Sequence, residues 1–307
     1  MGNFIQKYDF IQKLYDSANS LVYRGHQSDN NRSVIFKVLQ QSYPSPEKLA
    51  WFKQEYETTR NLDLAGVVKA YSLENYQNQW MMVLEDFGGE SLNRFIEKNP
   101  FTLPQFLPLA IKIVEIIGQV HQQQIIHKDI NPSNLVWNPK TGQVKLIDFG
   151  ISTVLSRENT TFRNPNLLQG TLAYISPEQT GRMNRSIDYR TDFYSLGVTF
   201  YEILTGRLPF PTEDALELVH CHIARQPLLP HECKPDIPLI ISQIVGKLMA
   251  KNPEDRYQSA SGLKADLEEC LKQWQTKEQI DSFSLNQHDV CDRLQIPQKL
   301  YGREREI

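Results

Sequence analysis

Residues 126–134 read IHKDINPSN and residues 148–150 read DFG, and the rest of the chain is organised around these two stretches. The first stretch carries a lone carboxylate, Asp129, in a polar loop, with the amide of Asn134 five residues later. A carboxylate in such a loop can accept a proton from a hydroxyl. The second stretch places Asp148 before a glycine, which lets the backbone turn sharply.

A β-hairpin is predicted between the two stretches. Residues 135–137 and 144–147 are strand-like runs, and residues 138–142 form a polar turn between them. The hairpin has Asn134 at its entrance and Asp148 at its exit, so we expect these side chains to lie close together. Paired oxygen ligands suit Mg²⁺, which binds few protein groups and keeps phosphate oxygens and water as its other ligands.

Composition and charge are ordinary for a soluble globular protein. The 307 residues allow one large domain or two ordinary ones, and a net charge of −3 gives no electrostatic reason to bind nucleic acid or an anionic membrane surface. Four cysteines are widely spaced in the last third of the chain, which is not the pattern of a disulfide framework. This usage is typical of a reducing compartment, and we expect a cytoplasmic protein.

Neither a signal peptide nor a membrane span is predicted. The first residues lack a basic region followed by an apolar one. The best candidate for a span, residues 111–120, is interrupted by Lys112 and Glu115 and is shorter than the about 20 residues that cross a bilayer.

The first part of the chain has the pattern of short strands with one helix. Ser45 is a suitable N-cap, Pro46 suits the first helical position, and the helix is expected to run to about Leu62. The predicted strands cover residues 10–14, 21–24, 34–39, 67–73 and 80–84.

After Gly88 and Gly89 the pattern becomes helical. The predicted helices cover residues 91–97, 102–120, 192–205, 239–250 and 259–274. The fold class is therefore α+β.

Four segments follow from this change of pattern. We expect a small β-rich lobe over residues 1–85, a hinge over 86–89, a larger helical lobe over 90–275, and a polar linker from 276 onward. A cleft between two lobes is a natural ligand site.

The chain resembles the protein kinase family over residues 9–272. A single motif would be weak evidence, but these motifs occur in the order and spacing of the family. They are Val34-Ile35-Phe36-Lys37, His127-Lys128-Asp129 with Asn134, Asp148-Phe149-Gly150, Gly170-Thr171, Ser176-Pro177-Glu178, Asp192 and Arg256. Residues 170–174 resemble the serine/threonine branch. The resemblance implies a two-lobed kinase fold that uses ATP and Mg²⁺.

The resemblance also implies roles for individual residues. Asp129 would be the catalytic base, Asn134 and Asp148 would bind Mg²⁺, and Lys37 would contact the α- and β-phosphates. Thr171 resembles a threonine that contacts the catalytic aspartate. The nucleotide would be held by Leu14, Val22, Ile35, Lys37, Leu84, Glu85, Phe87, Leu135 and Asp148.

Lys37 needs an acidic partner on the helix predicted after Ser45, and Glu55 and Glu57 compete for this role. Phe52, Tyr56 and Thr59 share one face of that helix. Glu55 lies next to this face. Glu57 is two residues further on, about 200° around the helix axis from Glu55, and is expected to face solvent. We therefore expect Glu55 to pair with Lys37.

Three further residues resemble structural elements of kinases. Glu178 and Arg256 resemble the buried ion pair that anchors the activation segment. Asp192 resembles the buried aspartate that accepts backbone N–H bonds from the catalytic loop.

The sequence departs from the family in the loop that covers the phosphates. Tyr15, Ser17 and Ser20 stand at the three glycine positions of that loop. Because glycine permits close backbone approach, these replacements put tight phosphate capping in doubt, although small polar residues can still form a turn.

Three other positions are changed as well. Asn131 stands where serine/threonine kinases carry a lysine that meets the γ-phosphate, so a cation is lost and the rate could be low. Lys128 replaces an arginine that reads a phosphorylated activation segment, which predicts weaker dependence on phosphorylation. Ile35 replaces an alanine over the adenine ring and narrows the base pocket.

A zinc site is a minor alternative for one cysteine- and histidine-containing region. The spacing lacks Cys-x-x-Cys pairs, and packing or surface roles are favoured. The residues are His220, Cys221, His222, His231 and Cys233.

Two functions remain open at this stage, and a third, a small-molecule kinase on the same fold, is disfavoured because residues 170–178 resemble a protein-substrate platform. The first is a serine/threonine protein kinase that transfers the γ-phosphoryl group of ATP to an unidentified protein substrate in signal transduction. The alternative is a pseudokinase-like module that binds nucleotide or partners, which the missing glycines and Asn131 favour. Residues 296–307 resemble the opening of an AAA-type ATPase module. This implies further domains of a large bacterial hybrid signalling protein with a sensor histidine kinase.

Overall fold

A computed structural model describes residues 7–17, 19–41, 43–76, 78–98, 101–154, 172–183 and 185–290. The chain divides into two compact units. The first contains the residues up to Ser91 together with Leu135–Ser152, and the second contains Leu92–Asn134 and the residues from Thr153 onward. The hairpin segment 135–152 is thus part of the first unit. The linear domain bounds inferred from the sequence stay a prediction.

The first unit is built on an antiparallel sheet of five strands, in the order β1-β2-β3-β5-β4. The strands are β1 (Tyr8–Asp16), β2 (Ser20–Gln27), β3 (Arg32–Leu39), β4 (Ala70–Tyr76) and β5 (Gln79–Glu85). All five coincide with predicted strands. β4 begins three residues later than expected, because Val67 pairs with Leu146 of the hairpin in an isolated bridge.

Alternation of side chains along β3 gives the sheet two apolar faces. Val34 and Phe36 are fully buried with Met81 on one side. Fully burying a side chain of this size contributes about 1.5–3 kcal/mol. On the other side Met82 packs with Phe52 and Tyr56 of α1 (Pro46–Asn61).

The start of α1 is capped as the sequence predicts. The Ser45 hydroxyl accepts a hydrogen bond from the Lys48 backbone N–H at 3.3 Å, and Pro46 occupies the first turn. The cap fixes where the helix begins, and hence which face Glu55 occupies.

A second sheet in this unit contains the predicted hairpin. Its strands are β6 (Glu90–Ser91), β8 (Leu135–Asn138) and β9 (Gln143–Leu146), in the order β6-β8-β9. The Asn138 side chain accepts from the Lys140 backbone N–H at 3.0 Å, which closes the turn. Asn138 also donates to the Phe87 carbonyl at 2.8 Å and so joins the hairpin to residues 86–89.

The second unit is mainly helical. Its helices are α2 (Leu92–Lys98), α3 (Leu103–Gln122), α4 (Arg190–Thr205), α5 (Ala215–Ala224), α6 (Pro230–Cys233), α7 (Leu239–Leu248) and α8 (Ala260–Lys277). A short antiparallel pair of strands, β7 (Ile125–Ile126) and β10 (Thr153–Val154), precedes and follows the two sequence motifs. Helices α5 and α6 were not predicted from the sequence.

Helix α4 forms the buried centre of this unit. All of its residues are buried except Glu202 and Thr205, and it ends at Gly206, which adopts a left-handed φ of 75°. A left-handed φ favours glycine, and glycine in this conformation commonly ends a helix. The predicted end of the helix at residue 205 is therefore confirmed.

Helix α3 is the one described helix that is long and apolar enough to cross a membrane, judged by length and composition alone. Half of that apolar window is buried within the protein. Phe106, Ile113 and Ile117 are among its buried residues.

The chain turns back after α8. Glu278 adopts a left-handed φ of 52°, and the described residues 279–290 contain neither helix nor strand. This return segment (residues 279–290) runs along α8 in the opposite direction, since Asp281 is hydrogen-bonded to Gln273 and Asn286 to Asp266. Asp289 then accepts the Gln258 backbone N–H at 2.7 Å. The described part of the expected linker is therefore bound to the second unit.

Candidate functional site

Lys37, Glu55 and Asp148 form a charged triad within the first unit. Lys37 projects from β3, Glu55 from α1, and Asp148 follows β9. The Lys37 Nζ lies 2.6 Å from Glu55 Oε1 and 3.1 Å from Asp148 Oδ2. The ion pair expected between Lys37 and Glu55 is therefore present, while Glu57 is exposed.

The charges of the triad do not cancel. Burial lowers the pKa of Lys37, but the carboxylates of Asp148 and Glu55 outweigh burial and raise it above its ordinary value. Burial, together with the charge of Asp148, raises the pKa of Glu55 to about 7 even though Lys37 acts in the opposite direction. When Glu55 is ionised, two carboxylates face one lysine and the triad carries a net negative charge, which a bound cation would offset.

The predicted nucleotide-binding residues all lie in the first unit, on its strands or immediately after them. Ile35 on β3 is paired with Leu84 on β5, and Val22 on β2 is paired with Lys37. Leu135 is fully buried, whereas Leu14, Val22, Ile35, Leu84, Glu85 and Phe87 are partly exposed. Their binding roles stay predictions.

The turn between β1 and β2 is closed by a serine. The Ser17 hydroxyl accepts from the Ser20 backbone N–H at 3.1 Å and from that of Asn19 at 3.4 Å, and it donates to the Ser20 carbonyl at 3.0 Å. A serine at a glycine position thus forms a local turn. The same bonds occupy two backbone N–H groups that could otherwise face a phosphate.

The second unit holds the Asp129 loop. Asn134 Nδ2 donates to Asp129 Oδ2 at 2.8 Å and to the Asp129 carbonyl at 2.9 Å. These two acceptors determine which end of the Asn134 amide faces Asp129, so the carbonyl oxygen of that amide is the end left for a cation.

Asp192 fixes the backbone that precedes Asp129. Its carboxylate accepts the backbone N–H groups of His127 at 2.9 Å and Lys128 at 2.7 Å, as the sequence predicts. Burial would raise the pKa of Asp192, but His121 and these bonds hold it below its ordinary value. The two bonds also support Lys128 in a left-handed φ of 69°, which is uncommon outside glycine.

Glu178 and Arg256 form the expected buried pair. The guanidinium makes two bonds to the carboxylate, at 2.6 and 2.8 Å, and both side chains are almost fully buried. Thr191 adds a third bond to Glu178 at 2.7 Å. Burial would raise the pKa of Glu178, but Arg256 outweighs this effect and lowers it.

Some predictions concern residues outside the described ranges. These are the predicted contact of Thr171 and the ATPase-like residues 296–307. Asn134 and Asp148 belong to different units. Their joint role in binding a metal stays a prediction.

Two of the residues considered for zinc make other side-chain contacts. His222 Nδ1 lies 3.0 Å from the Tyr194 hydroxyl, and Cys233 Sγ lies 3.1 Å from the Tyr201 hydroxyl. Cys221 is buried. Within the described ranges, no group of three or more His, Cys, Asp or Glu side chains is arranged to hold a metal ion.

Two ion pairs near the predicted hinge were missed from the sequence. Asp86 accepts bonds from Ser33 Oγ at 2.7 Å and Arg24 Nε at 2.8 Å. Lys145 pairs with Glu85 at 2.8 Å. The signal for the second pair was available, because Lys145 is a charged residue within an apolar strand.

The fold and these motifs define a phosphotransferase domain, and comparison with known proteins gives its family. The model of the protein kinase domain matches residues 8–268, so the chain belongs to the protein kinase family. Members of this family use ATP and a divalent metal.

The chain is similar to several bacterial serine/threonine kinases. It is 30% identical over 299 residues to a probable serine/threonine-protein kinase of Clostridium perfringens, covering 97% of this chain and 42% of that protein. It is 30% identical over 263 residues to the serine/threonine-protein kinase PrkC of Bacillus subtilis, covering 85% of this chain and 40% of PrkC. The chain thus spans about two fifths of the length of these relatives.

A third relative has a different architecture. The hybrid signal transduction histidine kinase G of Dictyostelium discoideum is 32% identical over 289 residues, covering 66% of this chain and 8% of that protein. A domain similar to this one therefore occurs within a much larger hybrid kinase.

Proposed function

We propose that this chain is an active serine/threonine protein kinase domain that transfers the γ-phosphoryl group of ATP to a protein hydroxyl. The observation that carries the proposal is the Asp129 carboxylate, held by Asn134 on a loop that Asp192 braces. A fixed carboxylate is what a general base for this transfer requires.

The reaction would proceed by displacement at the γ-phosphorus. Asp129 accepts the proton of the substrate serine or threonine hydroxyl as its oxygen bonds to the γ-phosphorus. The bond from the γ-phosphorus to the bridging β–γ oxygen breaks, and ADP leaves. Lys37, held by Glu55 at 2.6 Å, binds the α- and β-phosphates.

The chemistry of the available ligands fits a magnesium ion. Asp148 and the carbonyl end of the Asn134 amide are hard oxygen donors, which Mg²⁺ prefers. We assign these two residues to the metal, which when bound would neutralise charge on the β- and γ-phosphates. The excess negative charge of the Lys37 triad supports this assignment.

Cytoplasmic location and further C-terminal domains are also part of this proposal. The location is supported by the cysteine usage. The further domains are supported by the similarity to a much longer hybrid kinase and by the ATPase-like residues 296–307. Expression of the full-length gene product, followed by mass measurement and cell fractionation, tests both points.

A pseudokinase-like binding module is the second candidate. The observation in its favour is the Ser17 turn, which uses the backbone N–H groups of Asn19 and Ser20 internally. Such a module would bind nucleotide and transfer nothing.

Transfer of labelled phosphate from ATP with Mg²⁺ distinguishes the two candidates. We expect the wild-type chain to label a generic protein substrate, and Asp129→Asn and Asp148→Ala to lose at least about 10²-fold in rate. Equal labelling by all three proteins would contradict the enzyme proposal. A nucleotide-induced thermal shift without transfer in the wild type would favour the binding module.

A further inference from the structure

Asn131 stands at the position where the family carries a lysine, and it is buried. Its side chain makes four hydrogen bonds, all within residues 129–134. We infer that Asn131 is a positioning residue that fixes the catalytic carboxylate of Asp129. This inference rests on the phosphoryl transfer proposed above.

The amide nitrogen of Asn131 faces Asp129. Nδ2 donates to Asp129 Oδ1 at 2.7 Å and to the Asp129 carbonyl at 3.2 Å. Asn134 donates to the other carboxylate oxygen at 2.8 Å. Each oxygen of Asp129 therefore receives one amide N–H, which fixes the plane of the carboxylate. A carboxylate oxygen can accept more than one hydrogen bond, so these two bonds are compatible with proton acceptance.

The amide oxygen of Asn131 faces the following turn. Oδ1 accepts from the backbone N–H of Ser133 at 2.9 Å and from that of Asn134 at 3.2 Å. These bonds determine the orientation of the amide, because only the oxygen can accept. They also fix the backbone of Asn134, so Asn131 sets the position of both donors to Asp129.

A lysine could make only half of these contacts. An ammonium group has three donors and no acceptor, so it could reach Asp129 but could not accept from Ser133 or Asn134. The residue typical of the family would therefore leave the Ser133 backbone N–H without this partner. The Asn134 backbone N–H would keep only its bond to the backbone carbonyl of residue 131, which is 3.1 Å long here. If the only effect of Asn131 were to remove a cation from the site, Asn131→Lys would raise the rate of transfer. If Asn131 positions Asp129, Asn131→Lys lowers that rate.

Two substitutions test the donor and acceptor ends of the Asn131 amide separately. Asn131→Lys keeps a donor and removes the acceptor, and we expect kcat to fall about 10²-fold because Asp129 is misplaced. Asn131→Asp keeps an acceptor but places a second carboxylate against Asp129. Because an ionised carboxylate cannot donate to Asp129 Oδ1, we expect kcat to fall about 10²-fold in this variant too.

The assay measures kcat and the KM for ATP from pH 5 to 9 for the wild type, both Asn131 variants, Asp129→Asn and Asn75→Lys. Asn75 is exposed on β4, so Asn75→Lys makes the same charge change away from the site and should match the wild type. We expect the KM for ATP to change little in Asn131→Lys, and thermal unfolding establishes that each variant is folded.

The outcomes distinguish this inference from the proposed function. If the wild type transfers no more phosphate than Asp129→Asn, the proposed function fails, and the inference fails with it. If the wild type is active and Asn131→Lys is as fast or faster, the inference alone is overturned. A folded Asn131→Asp variant with the kcat of the wild type overturns it as well.

Discussion

At the scale of the residue, Glu55 shows how position on a helix selects one carboxylate from two. Glu55 is buried and bonded to Lys37, whereas Glu57 is exposed on the same helix. The helical spacing in the sequence is sufficient for this choice, because residues two apart face in different directions. It does not give the pKa of Glu55, which depends on burial and on Asp148.

The raised pKa of Glu55 predicts a pH dependence with opposite signs for activity and stability. The pair with Lys37 requires an ionised Glu55, so activity should rise as the pH increases through about 7. An acid whose pKa is raised on folding favours the folded state at low pH. This contribution is complete below the unfolded pKa of about 4.5 and is lost as the pH rises through about 7.

The substitution Glu55→Gln tests the predicted pH dependence of both activity and stability. We expect it to lower kcat by about 10²-fold, since Lys37 loses its partner, and to remove the Glu55 contribution to the pH dependence of the free energy of unfolding. Glu57→Gln is the matched control and should change neither quantity. An unchanged pH profile of both activity and stability in Glu55→Gln would contradict the assignment.

At the scale of the element, close packing of the return segment against α8 accounts for the glycine at position 262 of that helix. A Cβ on Gly262 would lie 2.6 Å from the Cα and Cβ of Asp289, so the segment can approach the helix only where no side chain is present. Asp289 bonds there to Ser259 Oγ and the Gln258 backbone N–H, each at 2.7 Å. Ser259 is also the N-cap of α8.

Gly262→Ala should therefore destabilise the protein. Helix propensity alone favours alanine by about 1 kcal/mol, but overpacking against Asp289 costs about 1–3 kcal/mol. We also expect faster hydrogen exchange in residues 279–290, because the segment is displaced.

Gly246→Ala on α7 is the matched control. Its new Cβ would meet only the end of the Leu229 side chain, at 3.0 Å, which can move. We expect a neutral or stabilising effect on urea unfolding. If Gly262→Ala were as stable as Gly246→Ala, with unchanged exchange in the segment, the close packing would be refuted.

At the scale of the whole molecule, one buried ion pair joins distant parts of the sequence. Arg256 and Glu178 are 78 residues apart and almost fully buried. Arg256 also donates to the carbonyls of Ala250 at 2.8 Å and Arg190 at 2.9 Å. The pair thus connects the segment that contains Glu178 to α4 and to the loop before α8.

Arg256→Ala should be among the costly single substitutions. Removing one partner leaves a buried charge without compensation, which costs about 3–5 kcal/mol. Because the pKa of Glu178 is lowered on folding, the wild-type contribution is present above the unfolded pKa of about 4.5 and is lost as the pH falls.

Urea unfolding at neutral pH measures this cost against an exposed pair. Lys277 and Asp281 lie 3.0 Å apart, with more than half of each side chain exposed. Lys277→Ala should cost at most about 1 kcal/mol. Similar midpoints for Arg256→Ala and Lys277→Ala would show that the buried pair does not stabilise the fold.

Much of the fold could be predicted because its signals are local. The strands follow from alternating apolar residues, α1 from the Ser45 cap and α4 from its apolar run before Gly206. The start of β4 was misplaced because Val67 is apolar, as a strand residue would be, but pairs with Leu146 elsewhere in the chain.

The sequence by itself determined the family, through the order and spacing of its motifs, and most of the strands and helices, through local periodicity. Only the tertiary structure decided that Ser17 closes its own turn, that Arg24 reaches Asp86, and that residues 279–290 return along α8. The contacts of Asn131 were also beyond the sequence, although its partners are near in the chain. They depend on backbone dihedral angles, which are set by bonds to distant residues such as Asp192.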